Sequence, residues 1–449
     1  MSLIASDITR VIVGLGATGL SVARHFAARG LPFAVADSRA NPPGLETFKQ
    51  EFPQVSLQLG DFDDNQFVSA GELYVNPGIP LSDPAIAAAK RAGVRISGDI
   101  DCFAAEARAP IVAITGSNGK STVTTLVGEM ARAAGVRVAV GGNLGVPALE
   151  LLDDQCELYV LELSSFQLER CHNLGAEVAT VLNVSADHLD HHGSMLNYHQ
   201  AKHRIFQGCR KAVINADDRL SAPLVPDEVE QWYFGLGQSD FRRFGLMASG
   251  QSESIALARQ PLVGVDELRI VGRHNVSNAM AALALGAAAG LPMAAMLSAL
   301  RTFRGLAHRC EFVAEIGGVT YYNDSKATNV GAAVAAIKGL QSAGKILLVA
   351  GGLAKGGDFA PLAQALSHNA RAVIVMGRDA ALLESAMAGQ VTTVRVDTME
   401  QAVAEAAALA QPGDRVLLAP ACASFDMFKG YAHRGECFTK AVRAMEAGQ

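Results

Sequence analysis

The run Thr115-Gly116-Ser117-Asn118-Gly119-Lys120-Ser121-Thr122 combines the residue types that phosphate chemistry needs, in the order it needs them. It ends an apolar stretch, Ile111-Val112-Ala113-Ile114, that reads as a strand, and it opens a helical pattern. Glycines let backbone N–H groups turn onto phosphate oxygens, the lysine adds a mobile cation, the hydroxyl after it can hold Mg²⁺, and a helix N-terminus favours an anion. The expected ligand is ATP, held by Gly116, Ser117, Asn118, Gly119, Lys120, Ser121 and Thr122. Only Ser117 and Asn118 separate the two glycines, so this loop is shorter than the general P-loop, which has four residues there.

Further groups with chemical potential follow other apolar runs. Glu162 ends the strand-like Leu158-Tyr159-Val160-Leu161. With Ser121 and ATP it would complete a Mg²⁺ shell; the plain alternative is an exposed strand-end carboxylate. The stretch Asn183-Val184-Ser185-Ala186-Asp187-His188-Leu189-Asp190-His191-His192 lacks a recognised zinc spacing, which leaves His188 as a ligand to Mg²⁺ or a phosphate contact. An ammonium cannot ligate Mg²⁺, so from charge alone Lys202 reads as a surface lysine or a phosphate contact. Asn275, in Gly272-Arg273-His274-Asn275, suits adenine, phosphate or a helix cap, and Arg309 can reach a γ-phosphate. Cys422 lacks a paired histidine signature and reads as packing.

The elements that must carry these groups form three segments: 1–98, 99–305 and 306–449. Each opens on an apolar strand and a Gly-containing turn and continues in Ala-rich helical periodicity, so the expected architecture is α/β with mostly parallel sheets. The first begins Val11-Ile12-Val13-Gly14-Leu15-Gly16-Ala17-Thr18-Gly19, with Asp37 about twenty positions on. That pattern serves a nicotinamide dinucleotide or, equally, the pyrophosphate of a UDP-sugar, with Asp37, Ser38 and Arg39 reaching the nucleoside. In the third segment Asn323-Asp324-Ser325-Lys326-Ala327-Thr328-Asn329, Gly351-Gly352-Leu353-Ala354-Lys355-Gly356-Gly357 and Pro420-Ala421-Cys422-Ala423-Ser424-Phe425-Asp426-Met427-Phe428 each follow a strand. Lysines and hydroxyls meeting at one sheet edge suit a small acidic substrate.

Bulk properties agree with an enzyme of this kind. The 449 residues exceed a single core, half are hydrophobic, 18% are charged, and the net charge of −6 argues against a nucleic-acid partner. Seven cysteines without a C-x-x-C pair read as reduced thiols. No run of 18 uncharged apolar residues occurs, so the expectation is a soluble, cytoplasmic chain without a membrane partner.

The shortened phosphate loop, Leu161-Glu162-Leu163-Ser164-Ser165-Phe166-Gln167, the Asp187-His188 loop, the 323–329 run and Pro420-Ala421-Cys422-Ala423-Ser424 occur in the order found in Mur ligases, and the chain resembles that family from end to end. The resemblance implies three domains: an N-terminal Rossmann-like UDP-binding domain, a central P-loop ATPase-like domain and a C-terminal Rossmann-like domain. It further implies ATP-dependent addition of D-glutamate to UDP-N-acetylmuramoyl-L-alanine, a cytoplasmic step of peptidoglycan synthesis that serves cell shape and division. Two Mg²⁺ ions, with Mn²⁺ as a substitute, offset charge in such a reaction. By resemblance Lys120 cradles phosphate, Ser121, Glu162 and His188 hold metal, and Lys202 becomes carbamylated and joins the ligands. Asn275, Arg309, Asp324 and Lys326 surround ATP. Thr328, Lys355, Ser424 and Phe428 bind D-glutamate, and Ala17, Thr18, Ser38, Arg39, Asn76, Gly78, Asn143 and Ser164 hold the UDP-sugar in a monomeric enzyme. The competing expectations are a folylpolyglutamate synthetase-like ligase, a nicotinamide dehydrogenase, and a P-loop regulatory binder that hydrolyses ATP without regard to amino acid.

Overall fold

A computed structural model describes residues 10–249, 252–270, 272–340, 344–354 and 356–447. Near-continuous apolar runs become strands buried on both faces, as parallel sheets covered by helices require. Strands β1 (Arg10–Val13), β2 (Phe33–Asp37), β3 (Leu57–Leu59), β4 (Glu72–Val75) and β5 (Arg95–Ser97) form one parallel sheet in the order β3-β2-β1-β4-β5. The order reverses between β1 and β4, where open sheets leave a crevice at the carboxyl ends of the strands. The Gly14–Gly19 turn follows β1 and Asn76 follows β4, so the two flank that crevice.

The second sheet comprises β6 (Ile111–Thr115), β7 (Val138–Gly142), β8 (Leu158–Glu162), β9 (Val178–Val181), β10 (Lys211–Asn215), β11 (Glu230–Gln238), β12 (Arg243–Ser249), β13 (Ser252–Leu257) and β14 (Gln260–Gly264). Its order is β14-β13-β12-β11-β10-β9-β6-β8-β7, ending in an antiparallel β12-β13-β14 meander. Because β6 lies between β8 and β9, Ile114 pairs with Glu162 and Thr115 with Val181. Glu162 and the loop after β9 therefore end beside the phosphate loop. The third sheet comprises β15 (Glu311–Ile316), β16 (Val319–Asn323), β17 (Ile346–Gly351), β18 (Ala370–Met376), β19 (Thr393–Arg395) and β20 (Arg415–Leu418), in the order β15-β16-β20-β17-β18-β19. The neighbours β16, β20 and β17 run parallel and release the three polar loops of this segment from one edge.

One apolar cluster joins the first sheet (Ile12, Val35) through Ile100 and Phe103 to the face of the second sheet that carries Tyr159 and Leu161. The helix Lys120–Ala133 packs on the opposite face with the helices Arg273–Ala288 and Met293–Thr302. The third sheet has its own clusters. Among the described residues no helix is long and apolar enough to cross a membrane.

The junction between the first two sheets buries a carboxyl group. Asp99, which starts the helix Asp99–Glu106, is 4% exposed; its Oδ2 accepts a hydrogen bond from Gln167 Nε2 at 3.1 Å, while its Oδ1 has no partner. Burial pushes this carboxyl up to about 6. A raised pKa means that the folded chain holds a proton the unfolded chain releases near pH 4, so this contribution to stability is present below about pH 4 and lost as pH rises through 6. Urea unfolding of Asp99→Asn and the parent between pH 4 and 7 is expected to show the variant gaining about 2–3 kcal/mol relative to the parent across that window. Parallel curves would contradict it.

Candidate functional site

The phosphate loop is fixed by backbone geometry and by a clamp from its neighbour. Gly119 caps the helix Lys120–Ala133 with φ +83°, and a Cβ there would stand 2.5 Å from Asn278 Oδ1, so only glycine fits. Asn183, after β9, accepts from Asn118 N at 2.8 Å and donates to Asn118 O at 3.0 Å. Ser117 Oγ donates to Ser185 O at 2.9 Å, accepts from Ser185 N at 2.9 Å and lies 3.0 Å from the Tyr198 hydroxyl. The Ser117 hydroxyl thus holds the loop in shape. Asn183 and Ser185, in the loop after β9, and Tyr198, on the helix Met195–His203, are supports that sequence reading missed, since residue type alone does not mark them.

Two ammonium groups converge behind this loop. Lys120 Nζ donates to Gly116 O at 2.7 Å and to Ser117 O at 3.0 Å, and Lys202 Nζ donates to the same Gly116 O at 2.9 Å. Lys202 is 2% exposed, in contrast to the surface position that charge alone suggests. Burial first, and then the Lys120 charge, hold its amine well below the ordinary lysine range. Burial also lowers Lys120, against the opposing pull of Glu162.

Glu162 is 3% exposed rather than free at a strand end. Its Oε1 accepts from Asn143 Nδ2 at 2.8 Å, and its Oε2 is buried without a hydrogen-bond partner. A desolvated carboxylate oxygen with no donor is costly unless a cation completes it, so the donor set fits Mg²⁺. Ser121 Oγ accepts from Arg309 Nη2 at 2.6 Å. His188 takes a left-handed backbone, its Nε2 3.6 Å from Asp187 Oδ2, and Asp187 accepts from Asn329 Nδ2 at 3.0 Å across to the third segment.

Asn118, Gly119, Thr122, Asn275, Arg309, Asp324 and Lys326 line one cavity of about 350 Å³ between the second and third sheets. Asn275 is fixed from Asn278 Nδ2 at 3.1 Å, and Lys326 Nζ sits 3.8 Å over the Tyr431 ring. Burial pushes Asp324 up to about 7 despite the nearby Arg309 guanidinium. A second cavity of about 520 Å³ brings Thr328, Asn329, Gly356 and Gly357 beside Asp187 and His188. Lys355 lies outside the described residues. Ser424 is buried in the turn after β20 and Phe428 packs on the core of the third sheet; neither lines this cavity, and the aromatic ring beside Lys326 is that of Tyr431.

In the first segment Asp37 does not reach outward to a nucleoside. Its carboxylate accepts from Leu15 N at 2.7 Å, from Arg39 N and Nε at 2.9 Å and from Arg39 Nη2 at 2.7 Å, and so holds the Gly-rich turn closed. An acid so occupied is poorly placed to accept from a ribose, which weakens the dinucleotide reading. Asn76 Oδ1 accepts from Gly78 N at 3.2 Å, and a Cβ on Gly14 would stand 2.7 Å from Asn76 Cβ. Ala17, Ser38 and Arg39 are exposed and Thr18 half-buried on the same crevice. Ser164 caps its helix, accepting from Gln167 N at 3.2 Å, while Gln167 Oε1 accepts from Ser164 N at 3.1 Å.

Asn143 orients the only paired oxygen of Glu162, the position of an outer partner to a metal ligand. Asn143→Ala is expected to weaken Mn²⁺ affinity about 10–100-fold, read by electron paramagnetic resonance titration, with the fold unchanged. An unchanged affinity would remove the metal role from this pair.

Family models match the chain in sequence order: a MurD-like N-terminal domain of Mur ligases over residues 8–98, the Mur ligase middle domain over 114–286, and the Mur ligase glutamate ligase domain over 308–422. The UDP-N-acetylmuramoylalanine--D-glutamate ligase of Pseudomonas aeruginosa is 58% identical over 447 residues, covering 99% of this chain and all of that one. The enzyme of the same name from Pseudomonas fluorescens is 57% identical with the same coverage. Among solved structures, a pseudomurein peptide ligase type C from Methanothermus fervidus aligns with a TM-score of 0.62 at 18% identity, covering 97% of this chain and 99% of that one. The UDP-N-acetylmuramate-alanine ligase MurC from Thermotoga maritima gives 0.60 at 18% identity, covering 98% and 100%. The chain belongs to the Mur ligase family.

Proposed function

We propose that the chain joins D-glutamate to UDP-N-acetylmuramoyl-L-alanine at the expense of ATP, in the cytoplasm and as a monomer. The observation that carries the substrate choice is the 58% identity, along essentially the whole of both chains, to a D-glutamate ligase. The geometry supports the reaction class. A carboxylate oxygen of the UDP-sugar peptide attacks the γ-phosphorus of ATP and ADP leaves; the amine of D-glutamate then attacks the resulting acyl phosphate, and a tetrahedral intermediate expels phosphate as the amine loses its proton.

Each group has a definable task. Lys120 and the N–H groups of residues 116–122 take the phosphates, and Arg309 turns from Ser121 toward the γ-phosphate. Asn275, Asp324 and Lys326 contact the nucleotide from the cavity wall. Ser121, Glu162, His188 and a carbamylated Lys202 would hold Mg²⁺, or Mn²⁺ in its place; the metal supplies Lewis-acid polarisation of phosphoryl and carboxyl oxygens. Carbamylation requires a free amine to attack CO₂, with loss of a proton, and burial, which lowers the basicity of Lys202, works in that direction. The product is an anion that takes the place of a cation beside Lys120. Thr328, Lys355, Ser424 and Phe428 are assigned to D-glutamate, Thr328 being the one that shares a cavity with His188. The crevice at Ala17, Thr18, Ser38, Arg39, Asn76 and Gly78 takes the UDP moiety, with Asn143 and Ser164 nearer the sugar.

The test is phosphate release with ATP, Mg²⁺ and the UDP-sugar peptide, comparing D-glutamate, L-glutamate and no amino acid. Release is expected with D-glutamate alone, with a product heavier by one glutamyl residue, and Lys202→Ala should lower the rate about 100-fold or more. Release indifferent to D-glutamate would sink the assignment in favour of an ATPase, and dependence on a folate acceptor would favour the folylpolyglutamate synthetase-like reading.

A further inference from the structure

Four residues past Asp187 the chain presents a second set of donor atoms that the ligation chemistry does not use. His191 and His192 end the short helix Leu189–His192 and face the turn Ser165–Leu168 and Glu169. His191 Nε2 lies 3.0 Å from Glu169 Oε2, and His192, 5% exposed, meets Ser165 Oγ through Nε2 at 3.0 Å. One ligand atom from each of Glu169, His191 and His192 lies within 4.8 Å of the others. The Phe166 ring packs against both imidazoles, at centroid distances of 4.6 and 5.5 Å, and limits their rotation.

Tetrahedral zinc with bonds of about 2.1 Å sets its donors roughly 3.4 Å apart. The His191–Glu169 pair is already that close, and the widest separation must shrink by roughly 1.4 Å, within reach of small side-chain rotations. Two imidazoles and one carboxylate suit zinc, cobalt(II) or iron(II); Mg²⁺ prefers oxygen alone. Glu169 Oε2 also lies 3.7 Å from the buried Arg170 Nη1, an ion pair that the metal would have to share. Side-chain exposures of 12% for His191 and 27% for Glu169 leave a path inward and room for a water ligand.

We propose that Glu169, His191 and His192 bind one divalent transition-metal ion of the zinc class, at a site built from none of the residues assigned to Mg²⁺. The full chain, stripped with chelator and then saturated with Mg²⁺ and ADP, would be titrated with Co²⁺ while its visible d–d absorption is followed. One Co²⁺ per chain is expected, displaced by Zn²⁺, and bound about 100-fold or more weakly in His191→Gln and in Glu169→Gln. Thermal midpoints without added metal separate lost ligation from lost folding, and Glu169→Gln, at the more exposed position, decides the matter if His191→Gln is unstable. Equal Co²⁺ binding in a folded variant, or no Co²⁺ spectrum in the parent, overturns the proposal.

Discussion

Two lysine amines, one of them fully buried, share one carbonyl oxygen. Lys120 and Lys202 both point at Gly116 O, and the Arg309 guanidinium reaches Ser121 a few residues on. Such an arrangement is costly in a protein interior, where like charges repel and each has lost water. It persists here because two effects relieve it. Burial strips Lys202 of its basicity, and Glu162 sits close enough to raise the affinity of both lysines for protons, though not enough to offset burial. The remaining positive potential is what a nucleotide polyphosphate would neutralise, and the unpaired oxygen of Glu162 is what a divalent cation would complete.

The rest of the architecture serves to bring these groups together. With β6 between β8 and β9, the phosphate loop, Glu162 and the Asn183–His188 loop come off neighbouring strand ends. Adjacent β16, β20 and β17 aim three more loops from the third sheet, and the Asp187–Asn329 hydrogen bond links the two sets. Glycine is required at 119 because Asn278 occupies the space of a side chain, so the nucleotide cradle is also the contact between the phosphate loop and the helix Arg273–Ala288. The first sheet shares an apolar cluster with the second, which packs the two against each other.

Much of this was legible because parallel sheets write plainly in sequence. Apolar runs such as Ile111–Ile114, Leu158–Leu161 and Ile346–Ala350 lie in strands, and the polar sequel of the first lines the cavity that holds Asn275, Arg309, Asp324 and Lys326. Glu162 stood out because a carboxylate ending a buried strand conflicts with its surroundings. Relations between distant side chains were not legible. Nothing in residue type distinguishes Asp37 as a clamp on its own turn from Asp37 as a ribose acceptor, or marks Asn143 as the partner of Glu162. The β11–β14 strands, rich in glycine and polar residues, carry too weak an alternation to announce themselves. Phe428 and Tyr431 differ in environment by a turn of chain, which residue type alone does not resolve.

The central claim is the proposal that the Lys202 amine, its basicity lowered by burial, becomes an anion by taking up CO₂. Carbon-13 NMR of the protein in labelled bicarbonate tests it directly: the account predicts one protected carbamate resonance in the parent chain, retained on dilution of bicarbonate in the presence of Mg²⁺ and absent from Lys202→Ala. A parent spectrum without that resonance, or the same resonance in the variant, would contradict it.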